Sequence, residues 1–202
     1  MNGDITVVIA TIPTRADRLH TAVRSVMAQT LPVADLIVEL DDRAQGAAAT
    51  KNAGLAKVET DLVAFLDDDD EFMSHHLRTL HDALVEHQAD VAYSLPLVRD
   101  HLGRKVDRID EWGGTERFDP EALRRGSYIQ TTSLVRTELA KRVGGFQCPP
   151  GSNYDDWGFF LALLDTGATF AHVHEETFIW NHHGRNSSGI PGKGDAPDRE
   201  AS

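Results

Sequence analysis

Four consecutive aspartates, Asp67 to Asp70, are the residues of this sequence most suited to chemistry. They directly follow residues 62–66, a continuous apolar run that predicts a strand buried on both faces of a parallel sheet. Two carboxylates about 4 Å apart repel each other by roughly 1 kcal/mol in water and by more in a partly dry cleft, so the cluster calls for a neutralising cation. Mg²⁺ and Mn²⁺ prefer oxygen ligands and bridge carboxylates to a pyrophosphate, which favours a metal site. The alternative is a solvated acidic loop, or acids that cap the next helix.

A second acidic pair, Asp41 and Asp42, follows residues 36–40, which also predict a strand. Carboxylates at the ends of two neighbouring parallel strands line the same crevice, where one can accept hydrogen bonds from a ribose hydroxyl or a base N–H. A turn or cap role is the alternative for this pair.

Apolar periodicity predicts the elements that would position these acids. Short apolar runs predict strands at 5–10, 36–40, 62–66 and 91–94. The segments between them have helical spacing, so the first half alternates strand and helix. This alternation predicts an α/β fold, with a mostly parallel Rossmann-like sheet, helices on both faces, and ligands beyond the carboxyl ends of the strands. Elements predicted in the less regular second half are helices at 121–125, 138–143 and 155–164, and strands at 132–135, 169–173 and 177–180.

The composition limits the classes of protein to consider. The chain has 202 residues, of which 41% are hydrophobic and 26% charged, as in a globular domain with an apolar core. The net charge of −12 disfavours broad binding to nucleic acids. The single cysteine, Cys148, excludes an internal disulfide framework and a cysteine-cluster zinc site. Together with the lack of an apolar run of about 20 residues, it predicts a cytoplasmic protein without a membrane span.

Six motifs in order along the chain carry a family resemblance. They are TIPTRADRL at 11–19, VELDD at 38–42, ATKNAG at 49–54, FLDDDD at 65–70, NYDDWGFF at 153–160 and WNHHGRNSS at 180–188. In this order they resemble the nucleotide-sugar glycosyltransferases of the GT-A fold, especially the inverting enzymes of family 2. An isolated acidic motif is a weak signal, whereas its place among the other five is specific.

The resemblance implies a set of residues that bind the nucleotide-sugar donor. These are Thr11, Pro13, Arg15, Asp41, Asp42, Lys51, Asn52, Asp67, Asp68 and Arg185. By the same comparison Asp67 faces the ribose or the water shell of the metal, and Arg185 steadies the diphosphate. Lys51 stands where the family more often has arginine.

The resemblance also implies a site for Mn²⁺ or Mg²⁺. Asp69 is the direct ligand, and a neutral imidazole from the last motif, residues 180–188, completes the metal shell. Adjacent histidines on an extended segment point in opposite directions, so only one of His182 and His183 is expected to be a ligand, and we favour His183. An exposed polar loop is the alternative for this segment.

The resemblance implies that Asp156 is the general base. Asp155 and Asp156 open the helix predicted at 155–164, and in the family the second acid of this pair has that role. The residues agree, since Trp157, Phe160 and Leu164 form an apolar stripe that places Asp156 in the first turn at the edge of the core. Capping of the helix by Asp155 or Asp156 is the alternative.

The resemblance implies a metal-dependent inverting glycosyltransferase that moves a single sugar from a UDP- or GDP-sugar to an unidentified acceptor hydroxyl. We expect one domain at 1–185, with a nucleotide-sugar-binding half at 1–94, an acceptor-side half at 95–185, and a tail at 186–202 that is flexible. The chain has no Gln-x-x-Arg-Trp motif, which argues against a processive polysaccharide synthase.

Three other functions remain open on the sequence. A nucleotidyltransferase of similar topology also uses a metal and acids, but usually has a glycine-rich basic loop after its first strand, and residues 11–19 contain no glycine. A nucleotide-sugar hydrolase would break down the donor without an acceptor. A non-catalytic carbohydrate-binding module would bind without turnover.

Overall fold

Seven strands form one sheet in the part of the chain that this computed structural model describes, residues 4–106 and 117–182. The strands are β1 (Ile5–Thr11), β2 (Asp35–Leu40), β3 (Leu62–Asp67), β4 (Glu71–Phe72), β5 (Val91–Arg99), β6 (Leu134–Arg136) and β7 (Phe170–Asn181). Their order across the sheet is β2-β1-β3-β6-β5-β7-β4.

The helices cover both faces of this sheet. A short 3-10 helix (Pro13–Arg15) precedes α1 (Ala16–Met27), and the others are α2 (Ala47–Lys57), α3 (His76–Glu86), α4 (Pro120–Arg125), α5 (Thr137–Arg142) and α6 (Asp155–Asp165). Alternate side chains of β1 point to opposite faces, so that Val7 packs with α1 and α3 whereas Val8 packs with α2 and α6. No helix in the described ranges is long and apolar enough to cross a membrane.

The expected mostly parallel sheet with helices on both faces is confirmed. β1 pairs in parallel with β2 and β3, and β5 pairs in parallel with β7, all over long stretches. The antiparallel pairs are short, because β6 and β4 contribute only a few residues to their neighbours. The carboxyl ends of β1, β2 and β3 therefore lie at one edge of the sheet, as ligand binding requires.

The predicted extents of β5 and β7 were wrong. The strand predicted at 91–94 continues to Arg99 through Pro96, and the strands predicted at 169–173 and 177–180 are the single strand β7. Register shifts on either side of Leu95 absorb the irregularity. The register passes from Val173 directly to Glu176, so the polar residues between them bulge out of the ladder with β5, which local sequence patterns do not indicate. Such an irregularity also tolerates Pro96.

His76, the first residue of α3, is completely buried. Its Nδ1 lies 2.6 Å from the hydroxyl of Thr177, and its Nε2 lies 2.9 Å from the carbonyl oxygen of Thr132. Burial lowers the pKa of His76 to about 3. The neutral ring therefore joins α3 to β7 and to the segment before β6.

We expect His76→Gln to lower the free energy of unfolding by about 1–3 kcal/mol at pH 7.5, because it disrupts buried hydrogen bonds. Unfolded His76 takes up a proton below about pH 6.5, whereas the folded ring stays neutral down to about pH 3. The wild type thus loses stability as the pH falls through this window, and the glutamine variant lacks this loss. Urea unfolding at pH 7.5 and pH 5 should show the difference between the two proteins shrink by about 2 kcal/mol.

The exposed His20 provides the matched control for this experiment. The variant His20→Gln should follow the wild type at both pH values. If His76→Gln lowered the free energy of unfolding by the same amount at pH 5 as at pH 7.5, the result would contradict the neutral buried ring.

Candidate functional site

A cleft of about 280 Å³ lies at the carboxyl ends of β1 and β3, against the start of α6. It brings together most of the predicted site residues, namely Thr11, Arg15, Asp41, Lys51, Asp67, Asp68, Asp69 and Asp156. These residues come from both halves of the chain, so the cleft is assembled by the fold and not by any one segment.

Three other predicted residues in the described ranges do not line the cleft. Pro13 and Asp42 are exposed outside it, and Asn52 bonds elsewhere. His183 and Arg185 lie outside the described residues.

Asp68 is fully buried and bonded within the protein. It accepts a hydrogen bond of 2.6 Å from the hydroxyl of Thr11 and one of 2.8 Å from the guanidinium of Arg15. Thr11 ends β1 and Arg15 ends the 3-10 helix that follows it. Asp68 therefore ties this segment to the acidic loop, residues 67–70. This geometry gives Asp68 a structural task in addition to its place in the cleft wall.

Asp69 also lies close to cations of the chain. Its Oδ2 is 3.6 Å from Arg15 and 3.7 Å from Arg18. The neutralising charge that the sequence argument required is therefore supplied in part by the protein itself. A phosphate bound here would meet both the carboxylates and these guanidinium groups.

Asp70 anchors the end of β7 to the acidic loop. It is buried, and burial raises its pKa well above the usual range, helped by the neighbouring Asp69. Asp70 accepts a hydrogen bond of 2.8 Å from the backbone N–H of Asn181, and the amide of Asn181 donates one of 2.8 Å to the carbonyl oxygen of Asp69. β7, which contains the first two residues of the motif at 180–188, thus ends beside the cleft.

Lys51 is a buried cation, with only 4% of its surface exposed. Its Nζ lies 2.9 Å from Asp155 and 3.9 Å from Asp67, and 4.8 Å from the centre of the Phe146 ring. Burial alone would lower the pKa of Lys51, but Asp67 and Asp155 outweigh this effect and raise it. The ammonium therefore stays charged and links β3 to α6 across the floor of the cleft.

Asp156 is the second residue of α6 and faces the cleft. Its Oδ1 accepts a hydrogen bond of 2.7 Å from the N–H of Trp157. Burial raises the pKa of Asp156 to about 6, while Lys51 opposes the rise and Asp155 adds to it. Such a carboxylate is mostly ionised at neutral pH and more basic than an ordinary aspartate, which suits a general base.

Asn52 clamps the loop that leads to α6. Its side-chain amide donates to the carbonyl oxygen of Phe146 at 2.9 Å and its oxygen accepts from the N–H of the same residue at 2.8 Å. The side chain predicted to bind the donor thus makes its hydrogen bonds to the protein main chain.

Asp41 organises the loop before α2. Its two oxygens accept hydrogen bonds of 2.8 Å from the N–H groups of Gln45 and Gly46, which lower its pKa. These are the bonds of the turn role that the sequence left open. Asp41 still lines the cleft, whereas the carboxylate of Asp42 faces solvent beside Arg43 at 3.8 Å.

The sequence missed several residues that line the cleft. They are Thr50, Gln130, Thr131, Thr132, Asn153, Tyr154, Asp155 and Trp180. Tyr154 and Asp155 adjoin the predicted base, and their motif was the available signal. The segment around Thr131 has no motif, because it reaches the cleft only through the pairing of β6 between β3 and β5.

The family model for glycosyl transferase family 2 matches residues 34–144, which is more than half of the chain and includes the acidic loop. The chain belongs to glycosyl transferase family 2. The resemblance carried by the six sequence motifs is thereby confirmed. A comparison with curated protein sequences found no match.

Solved structures of S. aureus TarS share the fold of this family 2 chain. TarS 1-349 in complex with UDP is 17% identical with a TM-score of 0.67, over 88% of this chain and 60% of that one. TarS 1-349 in complex with UDP-GlcNAc is 16% identical with a TM-score of 0.68, over 93% and 60% of the two chains. This chain therefore spans about 60% of the length of these TarS structures.

We expect Gly158→Ala to destabilise the protein, because a Cβ at this position of α6 would lie 1.7 Å from the carbonyl oxygen of Gln147. Alanine is favoured over glycine inside a helix by about 1 kcal/mol, so only the close approach of the loop can make the change unfavourable. Overpacking of this kind costs about 1–3 kcal/mol or more, measured by urea unfolding.

Gly126→Ala is the matched control, since a Cβ there meets nothing within 4 Å. It should change the unfolding free energy by less than about 0.5 kcal/mol. If Gly158→Ala were as stable as this control, the loop would not pack against α6 as described.

Proposed function

We propose that this chain transfers a single sugar from a nucleotide diphosphate-sugar to an acceptor hydroxyl with inversion at the anomeric carbon. The observation that carries the proposal is the placement of Asp156, a carboxylate whose pKa is raised to about 6, in the same cleft as the acidic loop after β3. Membership of glycosyl transferase family 2 supports it. The TarS structures contain UDP and UDP-GlcNAc, which supports a UDP-sugar as donor.

Asp156 is the proposed general base. Its carboxylate takes the proton of the acceptor hydroxyl as the oxygen forms a bond to the anomeric carbon, and the bond from that carbon to the diphosphate oxygen breaks. Attack from the face opposite the leaving group inverts the configuration in one step. No nucleophile of the protein is needed for this reaction.

The donor-side residues are proposed to hold the nucleotide diphosphate. Thr11, Arg15, Asp41 and Asp67 line the cleft at the ends of the parallel strands, where open α/β sheets bind ligands. Arg15 presents a partly exposed guanidinium, which forms strong paired hydrogen bonds with phosphate oxygens. We also propose that Asp68 and Lys51 belong to the donor side of the cleft, where their charges lie within its wall.

Mn²⁺ or Mg²⁺ is the proposed cofactor, and the described residues supply part of a site for it. Within the described residues, no group of three or more His, Cys, Asp or Glu side chains is arranged to hold a metal. Asp69 offers one carboxylate, and Mg²⁺ commonly takes one or two carboxylates together with substrate phosphates and waters. A bound divalent ion would stabilise charge on the departing diphosphate. His183 remains the proposed second protein ligand.

We expect Asp156→Asn to lower the rate of sugar transfer by about 10²–10⁴, because the base is lost, while UDP affinity stays within about twofold. A thermal-shift screen of nucleotide sugars first identifies the donor. Calorimetry then measures UDP binding, and UDP release with a panel of sugar acceptors measures turnover. Asp165→Asn, at the exposed end of the same helix, is the control and should leave both quantities unchanged. UDP release that no acceptor alters would instead indicate a hydrolase.

Asp69→Asn should act on the other half of the site. We expect it to abolish the increase in UDP affinity that Mn²⁺ produces, since the amide is a poor ligand for the ion, and to remove metal-dependent turnover with it. Titration of each variant with UDP, with and without Mn²⁺, checks this. Equal loss of UDP binding in Asp69→Asn and Asp156→Asn would refute the division of roles.

The pH profile provides a further expectation. Asp156 must be ionised to accept a proton, and its pKa is raised to about 6. The turnover rate should therefore be constant at pH 7–8 and fall about tenfold per pH unit well below pH 6. Measurement of UDP release in the presence of acceptor between pH 4.5 and 8 tests this. An acid limb near pH 4, the range of an unperturbed aspartate, would contradict the environment described for Asp156.

A further inference from the structure

Lys51 is a buried cation that has no role in the chemical step of the proposed reaction. We propose that Lys51 is a positioning residue, which holds the first turn of α6 through Asp155 and keeps Asp156 ionised in the cleft. The inference rests on the proposed role of Asp156 as general base. It differs from the donor contact that the family resemblance implied for Lys51.

The surroundings of Lys51 argue for an internal partner. Its Nζ lies 2.9 Å from Asp155 and 3.9 Å from Asp67, and the ring of Phe146 lies against it at 4.8 Å. Only 4% of the residue is exposed. A buried lysine without a carboxylate partner loses its proton readily, so this ion pair is what keeps the ammonium charged.

The ion pair acts on α6 at its first residue. Asp155 binds Lys51 through Oδ2, while its Oδ1 accepts a hydrogen bond of 3.0 Å from the N–H of Asp156. One carboxylate thus joins the ammonium on α2 to the main chain of the proposed base. Lys51 is on α2, which packs on β1. The ion pair therefore fixes the position of Asp156 relative to the donor side of the cleft.

The charges around Asp156 give Lys51 a second effect. The charged groups that face Asp156 are Lys51 from α2, Asp155 from its own helix and Asp67 from β3. Without the ammonium, three carboxylates would share one partly buried site, and their mutual repulsion would favour the protonated form of Asp156. Lys51 lowers the pKa of Asp156 against the effect of burial.

Carbon-13 NMR of aspartate carboxyl groups tests the proposal without turnover. The Asp156 signal is assigned by its loss in Asp156→Asn. We expect Lys51→Met to raise the pKa of Asp156 by about 1 or more, because an opposite charge nearby is removed. Asp155→Asn should lower it, because a like charge is removed. Lys51→Arg, which retains the charge, should stay near the wild type and serves where the methionine variant is unstable.

Lys57→Met is the matched control, since Lys57 lies on the same helix but is exposed and pairs with Glu39. It should leave the Asp156 titration unchanged. If Lys51→Met folds and titrates like the wild type, or if Asp155→Asn shifts the pKa upward, the proposal is overturned. With an unstable Lys51→Met, the Asp155→Asn and Lys51→Arg results decide in the same way.

A kinetic measurement separates this inference from the proposed function. Lys51→Met should move the acid limb of turnover to higher pH by the same amount as the NMR titration, with UDP affinity within about threefold. A wild type that shows no transfer with any donor and acceptor refutes the proposed function, while the NMR shifts still report on Lys51. A large loss of UDP affinity with an unmoved acid limb overturns the positioning role and returns Lys51 to the donor.

Discussion

Neutralisation of carboxylates at one edge of the sheet is the constraint on which the rest of this structure depends. Asp67 ends the buried strand β3, Asp68 to Asp70 follow it, and the four carboxylates would repel one another in a dry cleft. The chain meets this with Arg15 against Asp68 on one side and Lys51 between Asp67 and Asp155 on the other. Each ion pair also joins two elements, so the contacts that neutralise the carboxylates also assemble the cleft.

The two cations reach the acids from different parts of the fold. Arg15 ends the 3-10 helix after β1, and Lys51 is in the middle of α2. Parallel strands place the starts of these helices at the same edge as the ends of the strands. The fold therefore delivers positive charge where the acids are, and the small residues of α2 allow it to lie close to β1, as the tight contact of Gly54 with Val8 shows.

Sequence patterns predicted the features that depend on local periodicity and on motif order. The buried strands around the acids, the sheet type and the position of Asp156 at the start of α6 belong to this group. Partnerships across the fold could not be predicted, since nothing near Asn52 indicates that it will bind residue 146, and nothing near His76 indicates that it will bind Thr132. β4 was missed because two residues carry no periodicity, and they pair only because β7 runs past them.

The clamp formed by Asn52 has a consequence for how such a protein can diverge. Asn52 recognises the main chain of residue 146, both its N–H and its carbonyl oxygen, and no side chain. Replacements of side chains in the following segment, residues 147–153, leave that recognition intact. Evolution can therefore change the surface next to the cleft in homologues while the start of α6 keeps its place.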